Sequence, residues 1–237
     1  IEYTKSHLDN FAPLNKVKWN HITKIIIDNN KLKFFTNNNL PYYLEDQNQF
    51  EGYKLNEFNK INEILLIKNN LYCRILIDPK NYIGKNDTAN ISDIILESAI
   101  SVIIDCEDSV AIVDAEDKIS AYRNWLGLMR GNLNSTFIKN NNKIKRTLNS
   151  DLEFLDPLGK KFNLKGRALI LIRNVGHLMK TSAILDKNGD EIGEGIMDAV
   201  ITSLIALHDL KDKKNKNSLY GSIYIVKPKM HGPEEVS

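Results

Sequence analysis

Cysteine is nearly missing from these 237 residues: Cys73 and Cys106 are the two present. So far apart, they make neither a metal-ligand pair nor a disulfide framework, and they fit a reducing cytoplasm. Excess charge is missing too. Lys and Arg number 32 against 30 Asp and Glu, a net of +2, too little to draw the chain onto nucleic acid or anionic lipid. No apolar run approaches the roughly 20 residues that span a bilayer. The opening Ile1-Glu2-Tyr3-Thr4-Lys5 lacks the basic-then-apolar profile of a signal peptide. A cytoplasmic protein with no membrane or nucleic-acid partner is expected. Glycine-rich phosphate loops are absent, since Gly84, Gly193 and Gly195 form no cradle. His177, His208 and His231 lack metal-ligand spacing and read as structural or solvent-facing. An initiator methionine is lacking, and little follows the last strand, which suggests truncation at both ends.

What is present suffices for at least one core: 42% of residues are hydrophobic and 26% charged. The first part, to about Asn90, is rich in Asn, Lys and β-branched residues and reads as hairpins. Ile22 to Ile27 and Lys31 to Phe35 flank Asp28-Asn29-Asn30, and Glu63 to Lys68 and Leu71 to Ile77 flank Asn69-Asn70. From about Ile91 short apolar runs alternate with helix-period segments, the pattern of a parallel sheet. A boundary near Gly84 to Asn90 divides the chain into residues 1–90 and 91–237.

In the second part Ser92 is placed to cap a short helix through Ala99, and Ser101 to Ile104 reads as a buried strand. Asp114 caps a helix with Ile119, Tyr122, Leu126 and Met129 at helical spacing, ended by Gly131. Ala168 to Ile172 and Ser222 to Val226 are further strands. Gly195 to Leu210 is a helix with Ile196, Val200, Leu204 and Leu207 on its apolar face. Trp125, Met129 and Cys106 read as core, and Asn140 to Lys145 as a solvated turn. Arg146 beside that turn is a candidate phosphate contact.

Each of the three apolar strands runs into charge. Ser101 to Ile104 meets Asp105-Cys106-Glu107-Asp108, Ala168 to Ile172 meets Arg173-Asn174, and Ser222 to Val226 meets Lys227-Pro228-Lys229. In a parallel barrel these ends share the face that holds the active site. A guanidinium there can grip a small carboxylate and its neighbouring carbonyl in a bidentate fashion, which an ammonium cannot. Carboxylates can hold the waters that Mg²⁺ keeps around itself. Such a set suits carbon–carbon bond formation through an alkoxide. The bland alternative is that charge marks where a buried strand meets solvent.

The same residues resemble malate synthases of the G type. The match is carried by ISDIILESAISVIIDCEDSVAIVDAEDKISAYRNWLGLMR (Ile91 to Arg130), GRALILIRNVGHLM (Gly166 to Met179), EGIMDAVITSLIALHDL (Glu194 to Leu210) and GSIYIVKPKMHGPEEV (Gly221 to Val236), and weaker similarity covers the rest. The resemblance implies an internal piece of an α/β enzyme. A strand-rich inserted α/β domain (residues 1–90, partial) would precede the first β/α units of an incomplete (β/α)₈ TIM barrel (residues 91–237). It implies condensation of acetyl-CoA with glyoxylate, with Mg²⁺ as cofactor, in a monomeric parent. Arg173 falls on the arginine that binds glyoxylate, Asp105 and Glu107 on carboxylates around the metal's water, and Ser109 and Arg146 on acetyl-CoA contacts.

The family's direct Mg²⁺ ligands and its proton-abstracting aspartate match nothing before Ser237. A full barrel takes roughly 250 residues, so the isolated piece is expected to be inactive and to expose strand edges. Two other readings stand beside this one. One is a related Mg²⁺-dependent acyl-CoA lyase; the other is a non-catalytic fragment that keeps only a binding surface.

Overall fold

Pairs of asparagine close the hairpins of this chain. Asn29 and Asn30, Asn69 and Asn70, and Asn140 and Asn141 all hold positive φ between 49° and 63°, the left-handed pair that a two-residue hairpin turn requires and that Asn tolerates best. In the computed structural model, residues 1–97, 101–107, 112–211 and 217–237 are described. Their contacts separate two units, Ile1–Ser98 with Asp151–Lys165, and Ala99–Ser150 with Gly166–Ser237.

The first unit is built on an antiparallel sheet of six strands in the order Lys161–Leu164, Leu152–Leu155, Phe50–Leu55, Ile61–Lys68, Leu71–Ile77 and Ile91–Leu96. A smaller sheet carries the Lys24–Asp28 and Lys31–Phe35 hairpin, in register at Asp28 and Lys31. Leu8, Trp19, Ile22, Leu32, Phe34, Ile64, Leu66 and Ile75 share one core and are fully buried. The Trp19 indole satisfies its polar end by donating to the Ala12 carbonyl at 2.8 Å.

Two expectations are corrected here. The helix expected to start at Ser92 is strand Ile91–Leu96, paired with Leu71–Ile77. Ser92 is buried, and its hydroxyl donates to the Leu76 carbonyl at 3.2 Å. Three isoleucines, at positions 91, 94 and 95, suit a pleated surface, and the waiting sheet edge outweighs a local cap. That strand carries the division past Asn90, and residues 151–165 return to the first unit as its outer hairpin.

The second unit holds a parallel sheet of three strands in the order Ile225–Val226, Leu169–Arg173, Ser101–Asp105. The strand expected from Ser222 shrinks to two residues. Among the described residues these strands do not close a barrel. Ile170 and Ile172 of the middle strand are buried, whereas Val102 and Ile103 of the edge strand are exposed, against the expectation of a buried strand.

Helix Ala115–Met129 starts as expected, with the Asp114 carboxylate accepting the Asp117 amide at 2.9 Å. Trp125 and Met129 are buried, but Ile119 is exposed and Lys118 is buried in its place. Helix Glu194–Lys211 departs further. Its expected core face of Ile196, Val200, Leu204 and Leu207 is 38–74% exposed, and Met197, Asp198, Thr202, Ala206 and Asp209 are buried instead. The buried polar groups have partners: Asp209 accepts the Asn217 and Ser218 amides, and the Thr202 carbonyl receives the Trp125 indole at 3.1 Å. Hydrogen bonding has decided which face turns inward. Where only a solvated turn was expected, Asn134–Lys139 and Asn142–Thr147 form a hairpin.

Candidate active site at the strand ends

Register brings the charges together. Arg173 lies opposite Asp105 on one side and Val226 on the other, so neighbouring parallel strands end level. The Arg173 guanidinium donates through Nε to Asp105 Oδ1 at 3.0 Å and through Nη2 to Asp105 Oδ2 at 2.5 Å. The same Nη2 lies 2.8 Å from Glu107 Oε2, and Glu107 Oε1 lies 3.1 Å from Lys229 Nζ. Asp105 and Glu107 flank Cys106, which is fully buried. The Glu107 amide donates to Asp105 Oδ1 at 2.9 Å, curling the strand end into a tight turn.

Partial burial alone would push the Asp105 carboxyl up, but the Arg173 guanidinium and the Glu107 amide outweigh it and hold it below the usual carboxylate range. The hydrogen bond that Arg173 donates to Asp105 raises the guanidinium in turn. Both stay charged at neutral pH. About a third of the Arg173 side chain remains exposed.

Arg146 lies on the hairpin after helix Ala115–Met129, its guanidinium 4.9 Å from the Phe137 ring centroid. With Asp105 it lines a cleft of about 680 Å³ whose walls include Ile104, Ile112, Leu128 and Leu133. The structure thus gathers Asp105, Glu107 and Arg173 into one cluster, with Arg146 along the adjoining cleft. Ser109 lies outside the described residues. His177 contacts the Met230 sulfur at 3.1 Å.

Behind the strand ends is a buried charge cluster missing from the sequence reading. Lys118 Nζ donates to the Cys106 carbonyl at 2.5 Å and pairs with Glu194 at 2.5 Å and Asp198 at 3.3 Å. Asp198 also accepts the Val175 amide at 2.7 Å and the Tyr122 hydroxyl at 2.5 Å. Burial, then this carboxylate, pushes the Tyr122 phenol well above its ordinary value. One signal was readable: Asp198 is the lone charge in the otherwise uncharged run from Gly195 to Leu207, and a charge placed so asks for a buried partner. Nothing local marked Lys118.

Comparison with known proteins bears on this site. Residues 169–237 match the family model for the malate synthase TIM barrel domain, and residues 1–68 that for the malate synthase G alpha-beta insertion domain. All of the chain aligns with malate synthase G of Halalkalibacterium halodurans at 46% identity, of Corynebacterium efficiens at 45% and of Corynebacterium glutamicum at 44%. It spans 33%, 31% and 32% of those proteins respectively, about a third of the length of the curated relatives. With domain models at both ends and relatives along its whole length, the chain belongs to the malate synthase G family.

Proposed function

We propose that these residues serve a malate synthase, which joins acetyl-CoA to glyoxylate and releases malate and CoA. The observation that carries the reading is the Arg173 guanidinium, forked between Asp105 and Glu107 at the level ends of neighbouring parallel strands. Glyoxylate is a small carboxylate beside an aldehyde, and a planar fork of donors fits both oxygens. Arg173 would exchange part of its pairing with Asp105 for the substrate and stabilise the alkoxide that forms on the former aldehyde oxygen. The new bond joins the acetyl methyl carbon to the aldehyde carbon. The methyl proton leaves to a carboxylate that the family resemblance puts outside these residues. Water then cleaves the thioester, releasing CoA.

Arg146 and the apolar cleft leading to Asp105 suit the acetyl-CoA side, since ligand clefts are mostly apolar with a few placed charges and reach this size. Ser109 belongs to the same proposal. Asp105 and Glu107 are both engaged by the Arg173 guanidinium. They suit the outer role of holding metal-bound water, and Mg²⁺ would supply Lewis acidity toward glyoxylate. A cytoplasmic, monomeric enzyme is part of this reading. Two free, buried cysteines fit a reducing compartment, and among the described residues no helix is long and apolar enough to cross a membrane.

The test is release of free CoA from acetyl-CoA by the complete polypeptide that carries these residues, with glyoxylate and Mg²⁺ each added and omitted. Release is expected only with both, and Arg173→Lys is expected to lower kcat by about 10²-fold or more, as for loss of an oriented transition-state donor. Formation of glyoxylate from a preformed hydroxyacyl thioester, with no free CoA, would move the assignment to a lyase. The 237 residues alone are expected to release none.

A further inference from the structure

Three ionised side chains meet out of water behind the strand ends. Lys118 is 2% exposed, Asp198 0% and Glu194 7%. Burying such a group costs several kcal/mol of lost hydration, and ion pairing often only breaks even. An apolar trio would pack there at no greater cost. All three side chains are at most 7% exposed. What they do reach is backbone on either side of the Asp105, Glu107 and Arg173 cluster.

The contacts are specific. Cys106 donates its amide to the Arg173 carbonyl at 2.8 Å and receives Lys118 on its own carbonyl. Both peptide groups of the residue between Asp105 and Glu107 are thereby held. Two residues beyond Arg173, Val175 gives its amide to Asp198 and takes Lys227 Nζ on its carbonyl at 2.7 Å. Lys118 and Asp198 contact each other, which ties the two strand ends into one frame.

We infer that Lys118 and Asp198 are positioning residues: Lys118 sets the turn that carries Asp105 and Glu107, Asp198 sets the segment after Arg173, and their contact fixes the spacing of carboxylates and guanidinium. The catalytic part of this inference rests on the malate synthase reading; the structural part does not. A misplacement of about 1 Å in such a site costs up to about 10²-fold in rate, so a frame of buried charge is retained for geometry.

The test removes the frame without stranding a charge, in the variant Lys118→Met, Glu194→Gln, Asp198→Asn. On the 237-residue chain, Cys106 and Cys73 are both buried, and a chromogenic aromatic disulfide reads their exposure. Cys106 is expected to react at least about tenfold faster while Cys73 and the Trp125 fluorescence stay unchanged. In the complete polypeptide the KM for glyoxylate is expected to rise about tenfold with the KM for acetyl-CoA unmoved. Unchanged Cys106 protection together with unchanged KM in the folded variant overturns the inference. Should the triple variant lose its Trp125 signal, Lys118→Arg keeps the charge with a different reach. Faster Cys106 labelling and a raised glyoxylate KM are then expected, and wild-type values for both again overturn it. A wild-type polypeptide that releases no CoA would refute the malate synthase reading, while the thiol arm still decides the frame.

Discussion

The two units bury charge for different ends. In the first, Lys5 and Asp87 pair at 2.5 Å, and Asp87 also accepts the amides of Ala89 and Ile91. That pair closes a turn beside a continuous core in which Trp19 meets Phe34 edge-on at 5.0 Å. In the second, the buried charges cluster behind the candidate active site, and apolar side chains of helix Glu194–Lys211 face outward. Apolar packing organises the first unit; a polar frame decides what the second buries. Each unit carries one tryptophan and one cysteine, Trp19 with Cys73 and Trp125 with Cys106, so each can be followed separately.

The largest effect is expected from Lys118→Met alone. It leaves Glu194 and Asp198 buried without their cation and should destabilise the second unit by about 3–5 kcal/mol. Urea titration read through Trp125 would show it, with Trp19 unmoved; equal shifts in both would erase the contrast. Ile64→Ala should produce the mirror image, about 2–5 kcal/mol in the first unit from lost burial and the cavity left behind, seen through Trp19 and Cys73. Asp114→Ala removes the acceptor for the Asp117 amide and should cost about 1 kcal/mol in the second unit, measured by thermal unfolding.

Smaller still, Leu204→Ser on the exposed face should change stability by less than about 0.5 kcal/mol. A loss of about 2 kcal/mol or more would mean that this face is packed after all. For the Asp105 and Arg173 pair no pH effect is expected between pH 8 and 5. The Asp105 carboxyl is depressed, so its contribution is fully present above the ordinary value near 3.8 and fades only as pH falls through a lower one. A carboxyl ¹³C titration of Asp105 with its midpoint above the ordinary value near 3.8 would break the assignment of that pair.

Much of the fold was legible because its signals are local. Asn29-Asn30 and Asn69-Asn70 stop a strand and reverse it whatever lies around them, and Asp114 caps its helix through a carboxylate three residues from its amide. The meeting of Asp105 with Arg173 was legible for a similar reason. Each is the first charge after an apolar run, and parallel register carries both to one level. Ser92 misled because cap chemistry is short-range, whereas the sheet edge that claimed Ile91–Leu96 lies some 20 residues back in the chain. The apolar stripe of Ile196, Val200, Leu204 and Leu207 misled because periodicity reports amphipathicity, not which face has partners.

By itself the sequence determined the hairpin turns, the strand-to-charge junctions, the start of helix Ala115–Met129 and the family, all through residues adjacent in the chain or matched along it. Only the tertiary structure decided the inward face of each helix. Lys118 and Asp198 are 80 positions apart, and a buried charge is tolerable only where folding has already delivered its counter-charge and its backbone acceptor. That condition lies between segments, and it settled which side of each helix went inside.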